Sequence, residues 1–517
     1  MRTKFQNIIF AVAALFLFSS CSKNLNQVNP NAQTSASFWK TSNDALQGVN
    51  AAYAPLLLDG LFMRFTPVLT DVRGDDVRSN SPWTAIRNAA IFSLNTSDPS
   101  GYGWTFDELY EGVYRCNQVL DFVPGIQMDQ NLKNRILGQA YFLRGLYFFY
   151  LADLFGNVAI PLHAPQSPKD FFSPQMPVDS VWAQAMADFK AAIPLLPVSY
   201  ANVNGPDNQI GRATKGAAMA FLGKTYLFNH MYQQAAEQFK NVIDLGVYAL
   251  MPNYADNFDG RHKNNQESIF EVQFSLTAGG QDLGWQGIPS STWAKTNAIA
   301  ITYGPPNFGW NDVQPSFYLF NEFQKEKTVD SSLDPRLDVT ILYNKPGEML
   351  YGHYFSDVYA GTPYLNDIFC KKYENWDTKP NEYDWKSGKD YIIMRYADVL
   401  LMYAECENEL GNVAECAHYI QMVRNRVNLP DREAEFATYS QQQMRDQISH
   451  ERLLEFGLEG HRFDDIRRWG WLNDPSKLNE LKQHDPEFNY YKPGRDLLPI
   501  PQGEIDNNPG FKQNPSY

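Results

Sequence analysis

The densest group of reactive side chains lies between Ser449 and Gly470, in the stretch SHERLLEFGLEGHRFDDIRRWG. The stretch opens with His450 and a glutamate, as the helical zinc motif H-E-x-x-H does. That motif needs a second histidine four residues after the first, so that both imidazoles lie on one face of the helix. Leu454 occupies that position, and His461 lies beyond two glycines. The spacing therefore argues against a zinc centre.

The same stretch is better explained as a network of ion pairs. Glu451, Glu455 and Glu459 recur every four residues, which places their carboxylates on one face of a helix. Arginines can bind such carboxylates through two parallel hydrogen bonds, and the stretch contains Arg452, Arg462, Arg467 and Arg468. We expect these arginines to bind the three glutamates and so to act as a structural clamp. A partly buried network of this kind fixes geometry more than it adds stability.

Two loop stretches combine flat aromatic rings with polar side chains, so they can bind a ligand by stacking and by hydrogen bonding. They are LTDVRGDDVRSNSPWTAIRN and GWQGIPSSTWAKTNAIAITYGPPNFGW. Tryptophan in a polar loop is informative because core packing does not explain it. The candidate ligand-binding residues are Arg73, Asp75, Asp76, Asn80, Trp83, Trp285, Trp293, Tyr303 and Trp310.

Each of these residues has an alternative role. A tryptophan can simply anchor a long loop to the scaffold. The adjacent carboxylates of Asp75 and Asp76 could hold a structural calcium ion. Apart from that ion, the sequence predicts no metal, no cofactor and no catalytic residue.

Composition limits the class of partner. The chain has 517 residues with 58 acidic and 44 basic side chains, for a formal net charge of -14. An acidic surface argues against nucleic acid and anionic membrane as main partners. Aromatic residues make up 14% of the chain, which suits a surface that binds ligands by stacking.

The N-terminus has the pattern of an export signal. Arg2 and Lys4 precede the apolar run IIFAVAALFLF, which is too short to span a bilayer, and small residues then lead to Cys21. This order resembles a bacterial lipoprotein signal, in which Cys21 becomes the lipidated first residue. The alternative is ordinary secretion with Cys21 as a plain thiol. We expect residues 1–20 to be the signal peptide, 21–34 to be the lipidated cysteine with a flexible tether, and 35–517 to form a single domain.

Internal repeats indicate the scaffold. Residues 219–242 match the tetratricopeptide pattern, with Gly223 in the first helix and Ala235-x3-Phe239 in the second. Residues 400–423 form a second copy, and a third is split, with its second helix at Ala185-x3-Phe189. Small residues let two helices cross closely while large ones fill the space between them. The fold class is therefore mostly α, a scaffold of tetratricopeptide-like helical hairpins.

The segments between the repeats differ from them in amino-acid composition. Residues 60–103 and 251–392 are rich in glycine, proline, asparagine and aromatic residues and show little helical period. Insertions this long in a compact domain are usually functional. We expect them to form a large, loop-rich and aromatic-rich ligand face on the helical scaffold.

Several motifs together resemble the SusD/RagB family of outer-membrane nutrient-uptake lipoproteins. They are SFWKTSNDALQGVNAAYAPL, AYFLRGLYFFYLADLFGNVAIPL, RYADVLLMYAECENELG, ISHERLLEFGLEGHRFDDIRRWG and the C-terminal LLPIPQGEIDNNPGFKQNPSY. The likeness runs from Cys21 to Tyr517. Four of these signatures in the correct order are specific, whereas one alone would be weak.

The resemblance implies a role as well as a fold. Members of the family are lipid-anchored at the cell surface of Bacteroidota, and they deliver oligosaccharides to a SusC-like TonB-dependent transporter without catalysing a reaction. Some relatives handle peptides, so a RagB-like peptide ligand is an alternative. A surface glycosidase is a third hypothesis, but it needs two opposed carboxylates that no motif here supplies.

Overall fold

A computed structural model describes residues 38–278 and 295–517, in which helices dominate. The first range contains α1 (Ser42–Tyr53), α2 (Phe65–Asp71), α3 (Thr84–Ala90), α4 (Tyr102–Phe122), α5 (Gln130–Phe155), α6 (Val178–Ala192), α7 (Lys215–Phe228) and α8 (Tyr232–Asp244). The second range contains α9 (Ile299–Tyr303), α10 (Phe317–Lys325), α11 (Pro335–Thr340), α12 (Phe355–Val358), α13 (Tyr396–Glu409), α14 (Val413–Arg426), α15 (Glu433–Phe436), α16 (Gln441–Phe456), α17 (Arg462–Arg468), α18 (Pro475–His484) and α19 (Gln502–Asn507).

The strands are short and pair two by two, always antiparallel. They are β1 (Val77–Arg78), β2 (Val158–Ala159), β3 (Gln175–Met176), β4 (Ser268–Val272), β5 (Gln314–Pro315), β6 (Ile341–Tyr343), β7 (Met349–Leu350), β8 (His353–Tyr354), β9 (Ile368–Cys370) and β10 (Tyr391–Arg395). The pairs are β1 with β5, β2 with β3, β4 with β10, β6 with β9, and β7 with β8.

The predicted helical hairpins are confirmed. Helices α7 and α8 contain the first repeat, α13 and α14 the second, and α5 and α6 the split one. Gly223 lies so close to Phe239 that an added β-carbon would come within 2.7 Å of its ring. A β-carbon added at Gly145 would likewise come within 2.9 Å of the Phe189 ring. Small residues therefore bring the helices of each pair into close contact, as the repeat pattern requires.

One large hydrophobic cluster joins the hairpins. Helix α5 contributes Phe142, Phe148 and Leu151, all fully buried, and α7 contributes Phe221. Among the helices in residues 38–278 and 295–517, none has both the length and the apolar composition that a bilayer crossing requires.

The two glycine- and aromatic-rich segments are built from short elements. Residues 60–103 contain α2, α3 and β1, and residues 251–392 contain short helices and most of the two-stranded ribbons. The predicted signal peptide and tether lie outside the described residues, as do Trp285 and Trp293.

Candidate functional site

The structure brings the early and the central candidate loops together. Strands β1 and β5 pair with Val77 opposite Pro315 and Arg78 opposite Gln314. Beside them, the Ser79 hydroxyl donates to the carbonyl oxygen of Asp312 at 2.8 Å. Segments more than 200 positions apart in the chain thus form one surface.

Three candidates in the early loop face the interior instead of a ligand. Asp75 is fully buried, and its carboxylate accepts hydrogen bonds from Arg462 and contacts His484 at 2.8 Å. Burial alone would raise the pKa of Asp75, but Arg462 and His484 lower it to about 2. Asp76 is 1% exposed and accepts a hydrogen bond from the Leu458 backbone at 3.2 Å. The Arg462 guanidinium bound to Asp75 also makes this carboxylate a poor ligand for calcium.

Arg73 is engaged within the fold as well. Its guanidinium donates to the carbonyl oxygens of Leu69 at 2.7 Å and Asp496 at 2.9 Å, and it lies 4.2 Å from the centre of the Phe463 ring. The side chain is 2% exposed. Because Nε and Nη1 donate to backbone carbonyls and the side chain is buried, Arg73 is a positioning residue of this loop.

Tyr303 is likewise buried, although it lies in the central loop. Its hydroxyl donates to Asp71 at 2.7 Å, and the residue is 0% exposed. Its ring packs edge-on against Tyr373 at 5.3 Å. The sequence placed Tyr303 between loop residues, but it ends the five-residue helix α9, which is buried along its whole length.

Asn80 and Trp83 reach the surface. Asn80 is exposed, and its amide donates to Gln314 at 3.2 Å. Trp83 is half-buried, with its ring edge-on to Phe65 at 5.1 Å and the Arg64 guanidinium 4.9 Å from its centre. This indole therefore anchors the loop and stays partly exposed.

Trp310 lies beside a second, more exposed indole. Its ring packs against a buried patch that includes Met63, and its centroid is 6.0 Å from that of Trp385, with 57° between the planes. Trp385 is 44% exposed, and Tyr383 next to it is 50% exposed. Met63 contacts Trp310, and the next residue in the chain, Arg64, lies against Trp83. These two residues connect the pair of Trp310 and Trp385 to Trp83.

The residues between Trp310 and β5 add polar groups. Asn311 has a left-handed backbone with φ 57°, and its side-chain oxygen is buried without a hydrogen-bond partner among the described residues. The Asp312 carboxyl is hydrogen-bonded to Ser81. Burial raises the pKa of Asp312 to about 6, and this effect outweighs the opposite effects of Ser81 and of the Arg64 charge. We call the whole group the tryptophan surface, and it consists of Asn80, Trp83, Trp310, Asn311, Asp312, Tyr383 and Trp385.

Sequence reasoning missed Tyr383 and Trp385. They lie in the polar stretch NEYDWKSGKD, within the predicted aromatic-rich segment 251–392. The criterion that selected Trp310, an indole in a polar loop, applies equally to Trp385. The signal was therefore present in the sequence.

The ion-pair clamp exists, but its arginines were wrongly assigned. Glu451 accepts hydrogen bonds from Arg336 at 2.7 Å and from Arg424 at 3.1 Å. Glu455 binds Arg336, Arg395 and Arg426, and Glu459 binds Arg395 and Lys372 at 2.9 Å. These partners lie far away in the sequence, and only the folded chain brings them to α16.

The arginines of the opening stretch bind other carboxylates, because they project from different sides of α16 and α17. Arg452 pairs with Asp398 and Asp465, Arg462 with Asp75, Arg467 with Asp153, and Arg468 with Glu405 and Asp465. Glu459 also lies beyond Phe456, where α16 ends, so the three glutamates do not share one helix.

Both histidines of the stretch face carboxylates. His450 lies 3.2 Å from Glu322 and 3.1 Å from Glu326, and His461 lies 3.8 Å from Asp398. In residues 38–278 and 295–517, one group of three side chains could reach a common metal ion, Asp256, Asp259 and His262. The His262 ring already contacts Asp259 at 2.8 Å, so a hydrogen bond between the two side chains explains this partly exposed group.

Two family models match the chain over most of its length. The model of the SusD family matches residues 266–517, and the model described as starch-binding associating with outer membrane matches residues 58–227. A SusD-like protein of Formosa agariphila is 26% identical, with 98% of this chain and 97% of that protein covered. The starch-binding protein SusD of Bacteroides thetaiotaomicron is 21% identical, with 80% and 78% covered.

Solved structures agree with the family models. A SusD superfamily protein from Bacteroides vulgatus superposes with a TM-score of 0.81 at 29% identity, covering 93% of this chain and 100% of that chain. A laminarin-binding SusD-like protein superposes with a TM-score of 0.76 at 25% identity, with 93% and 100% covered. With matching motifs, matching length and a matching helical scaffold, this chain belongs to the SusD family.

Proposed function

We propose that this chain binds an oligosaccharide on the tryptophan surface and does not cleave it. The observation that carries the proposal is the pair of Trp310 and Trp385, which sit on loops with their ring centroids 6.0 Å apart. The apolar face of a sugar ring packs well against an indole, and two tilted indoles can contact neighbouring sugar units.

The polar members of the surface complement the rings. Asn80 offers an exposed amide that can bond a ligand hydroxyl. Each sugar hydroxyl exchanges bonds with water for bonds with protein, so the net gain is small. We therefore expect modest affinity and rapid release, which suit capture and transfer.

A glucan is the first ligand class to test, since two relatives are described as laminarin-binding and starch-binding. The protein from Ser22 onwards is titrated with laminarin and with soluble starch in a calorimeter. Replacing Trp385 or Trp310 by alanine should weaken binding roughly fivefold or more, because a stacked ring contributes about 1 kcal/mol. Tyr114→Ala is the matched control, since Tyr114 is 43% exposed but belongs to helix α4.

Three outcomes would contradict the proposal. Unchanged affinity in both tryptophan variants would move the site elsewhere. Binding of peptides and of no glycan would favour the RagB-like alternative. New reducing ends after incubation with polysaccharide would identify a glycosidase.

The proposal also covers where the protein is located and which protein it works with. We infer that Cys21 is lipidated, that the protein is held on the outer membrane, and that it passes its ligand to a SusC-like TonB-dependent transporter. The signal pattern around Cys21 and the family model that names the outer membrane support this. Mass spectrometry of the mature N-terminus tests the lipid, and an unacylated Cys21 would contradict the lipid anchor. Copurification tests the transporter, and a protein that purifies alone would contradict that partner.

A further inference from the structure

A groove of about 400 Å³ lies between α4, the turn before β3 and the C-terminal segment. The aromatic residues among those that line it are Phe106, Tyr110, Tyr114, Phe171, Phe172 and Phe511. None of the residues of the tryptophan surface lines it. The groove therefore has no part in the sugar site proposed above.

Two phenylalanines on the rim are strongly exposed. Phe171 is 70% exposed and Phe172 is 56% exposed. The turn that presents them is structured, because Ser167 and Asp170 form a capping box at its start and Asn508 donates to the Ser173 carbonyl at its end, at 2.8 Å. Contiguous exposed apolar surface of this kind marks interaction sites.

Two carboxyls line the same groove without a cationic partner. Asp107 of α4 and Glu504 of α19 form no ion pair and no side-chain hydrogen bond to a lysine or arginine in the part of the chain that the structure describes. Asp107 is exposed and Glu504 is half-buried, but both carboxyls are partly desolvated by the groove walls. This desolvation and the nearby charge of Glu504 raise the pKa of Asp107 to about 6, and desolvation raises the pKa of Glu504. Both groups would be stabilised in the charged form by an added cation.

The other charged side chains of the groove already have partners. Glu111 pairs with Arg115, and the His163 ring contacts Asp121 at 2.8 Å. The Asp170 carboxylate accepts backbone hydrogen bonds within its own turn. Among the described residues, Asp107 and Glu504 are therefore the carboxyls of the groove that have neither an ion pair nor a side-chain hydrogen bond of their own.

We propose that this groove docks a basic segment of a partner polypeptide, with an arginine between Asp107 and Glu504 and an apolar side chain against Phe171 and Phe172. A guanidinium suits two carboxylates because it presents several donors in a plane, and aromatic rings beside it add a favourable cation–π contact. A free amine would gain little from an exposed ion pair alone. The apolar rim, which extends the contact beyond the carboxyls, favours a polypeptide.

The probe is a short acetylated and amidated peptide of alternating leucine and arginine, labelled with fluorescein, in an anisotropy titration at neutral pH. The test variant is Asp107→Asn with Glu504→Gln, which keeps side-chain shape and removes two charges. The matched control is Asp506→Asn with Glu237→Gln, which removes the same two charges at exposed positions outside the groove. A second peptide carries citrulline, which is neutral and of similar shape, in place of arginine.

We expect the test variant to bind the arginine peptide about tenfold more weakly than the control variant does. The citrulline peptide should bind all forms weakly and equally, and Phe171→Ser with Phe172→Ser should also weaken the arginine peptide. Equal affinity in the test and control variants would show general attraction to an acidic protein and would overturn the proposal. Glucan affinity should not change in any groove variant, which separates this result from a failure of the sugar site or of folding.

Discussion

His450 carries a proton because two carboxylates face its ring from α10 and the residue after it. Its nitrogens lie 3.2 Å from Glu322 and 3.1 Å from Glu326. Lys325 also pairs with Glu322, Arg424 pairs with Glu326 and Glu451, and the charge of Glu451 acts on His450 as well. Burial alone would lower the pKa of His450, but the two glutamates outweigh it and raise the pKa to about 9.

This shift predicts a pH dependence of stability. The folded pKa of about 9 lies above the ordinary value of 6.5, so the stabilisation is complete below pH 6.5 and is lost as the pH rises to 9. We expect the wild type to lose about 2 kcal/mol more than His450→Gln between these limits. Urea unfolding at several pH values measures the difference. Parallel pH profiles for the two proteins would contradict the role assigned to this histidine.

At the scale of elements, close packing within two of the hairpins depends on one glycine each. The first helix of the α7–α8 pair offers Gly223, and the second offers Phe239, which fills the space that the missing side chain leaves. The same arrangement recurs with Gly145 and Phe189 in α5 and α6. The repeat pattern therefore reflects close packing of the two helices. A larger side chain in place of the glycine tests this.

Gly223→Val should destabilise the protein by about 1 to 3 kcal/mol, because its β-carbon would lie 2.7 Å from the Phe239 ring. The melting temperature measures this. Gly503→Ala is the control, since nothing lies within 4 Å of its added β-carbon in helix α19, and alanine there should be neutral or slightly stabilising. Equal melting temperatures for Gly223→Val and the wild type would show that the helices can separate at no cost.

At the scale of the whole molecule, the ion-pair network connects segments that are far apart in the chain. Arg395, at the end of β10, binds Glu267 at 2.8 Å, Glu459 at 2.9 Å, and also Glu455. All four side chains are nearly or fully buried. A buried charge that loses its partner cannot be hydrated, so removal of one member is costly.

Arg395→Met should therefore lower the free energy of unfolding by about 3 to 5 kcal/mol, since it removes one cation from a buried network. The glutamates then keep fewer partners: Arg426 for Glu267, Arg336 and Arg426 for Glu455, and Lys372 for Glu459. Arg445→Met is the control, because the Arg445 pair with Glu409 at 2.7 Å is partly exposed and should contribute less than about 1 kcal/mol. Denaturant unfolding compares the two. Similar losses in both variants would mean that burial of the network has no energetic consequence.

The sequence by itself determined the helical hairpins, the family and the two segments that carry the tryptophan surface. Helical period and the spacing of small and large residues are local properties, so they can be read from one chain. The same reasoning correctly treated the Ser449–Gly470 stretch as a clamp, and it could have selected Trp385 as it selected Trp310.

Only the tertiary structure decided which charges meet and which side chains are exposed. Asp75 and Arg462 are 387 positions apart, and no periodicity in the sequence records their pairing. Arg73, Asp76 and Tyr303 look like loop residues in the sequence, yet the folded chain buries them. Burial and partner choice arise from contacts between distant segments, and those contacts exist only once the hairpins have packed.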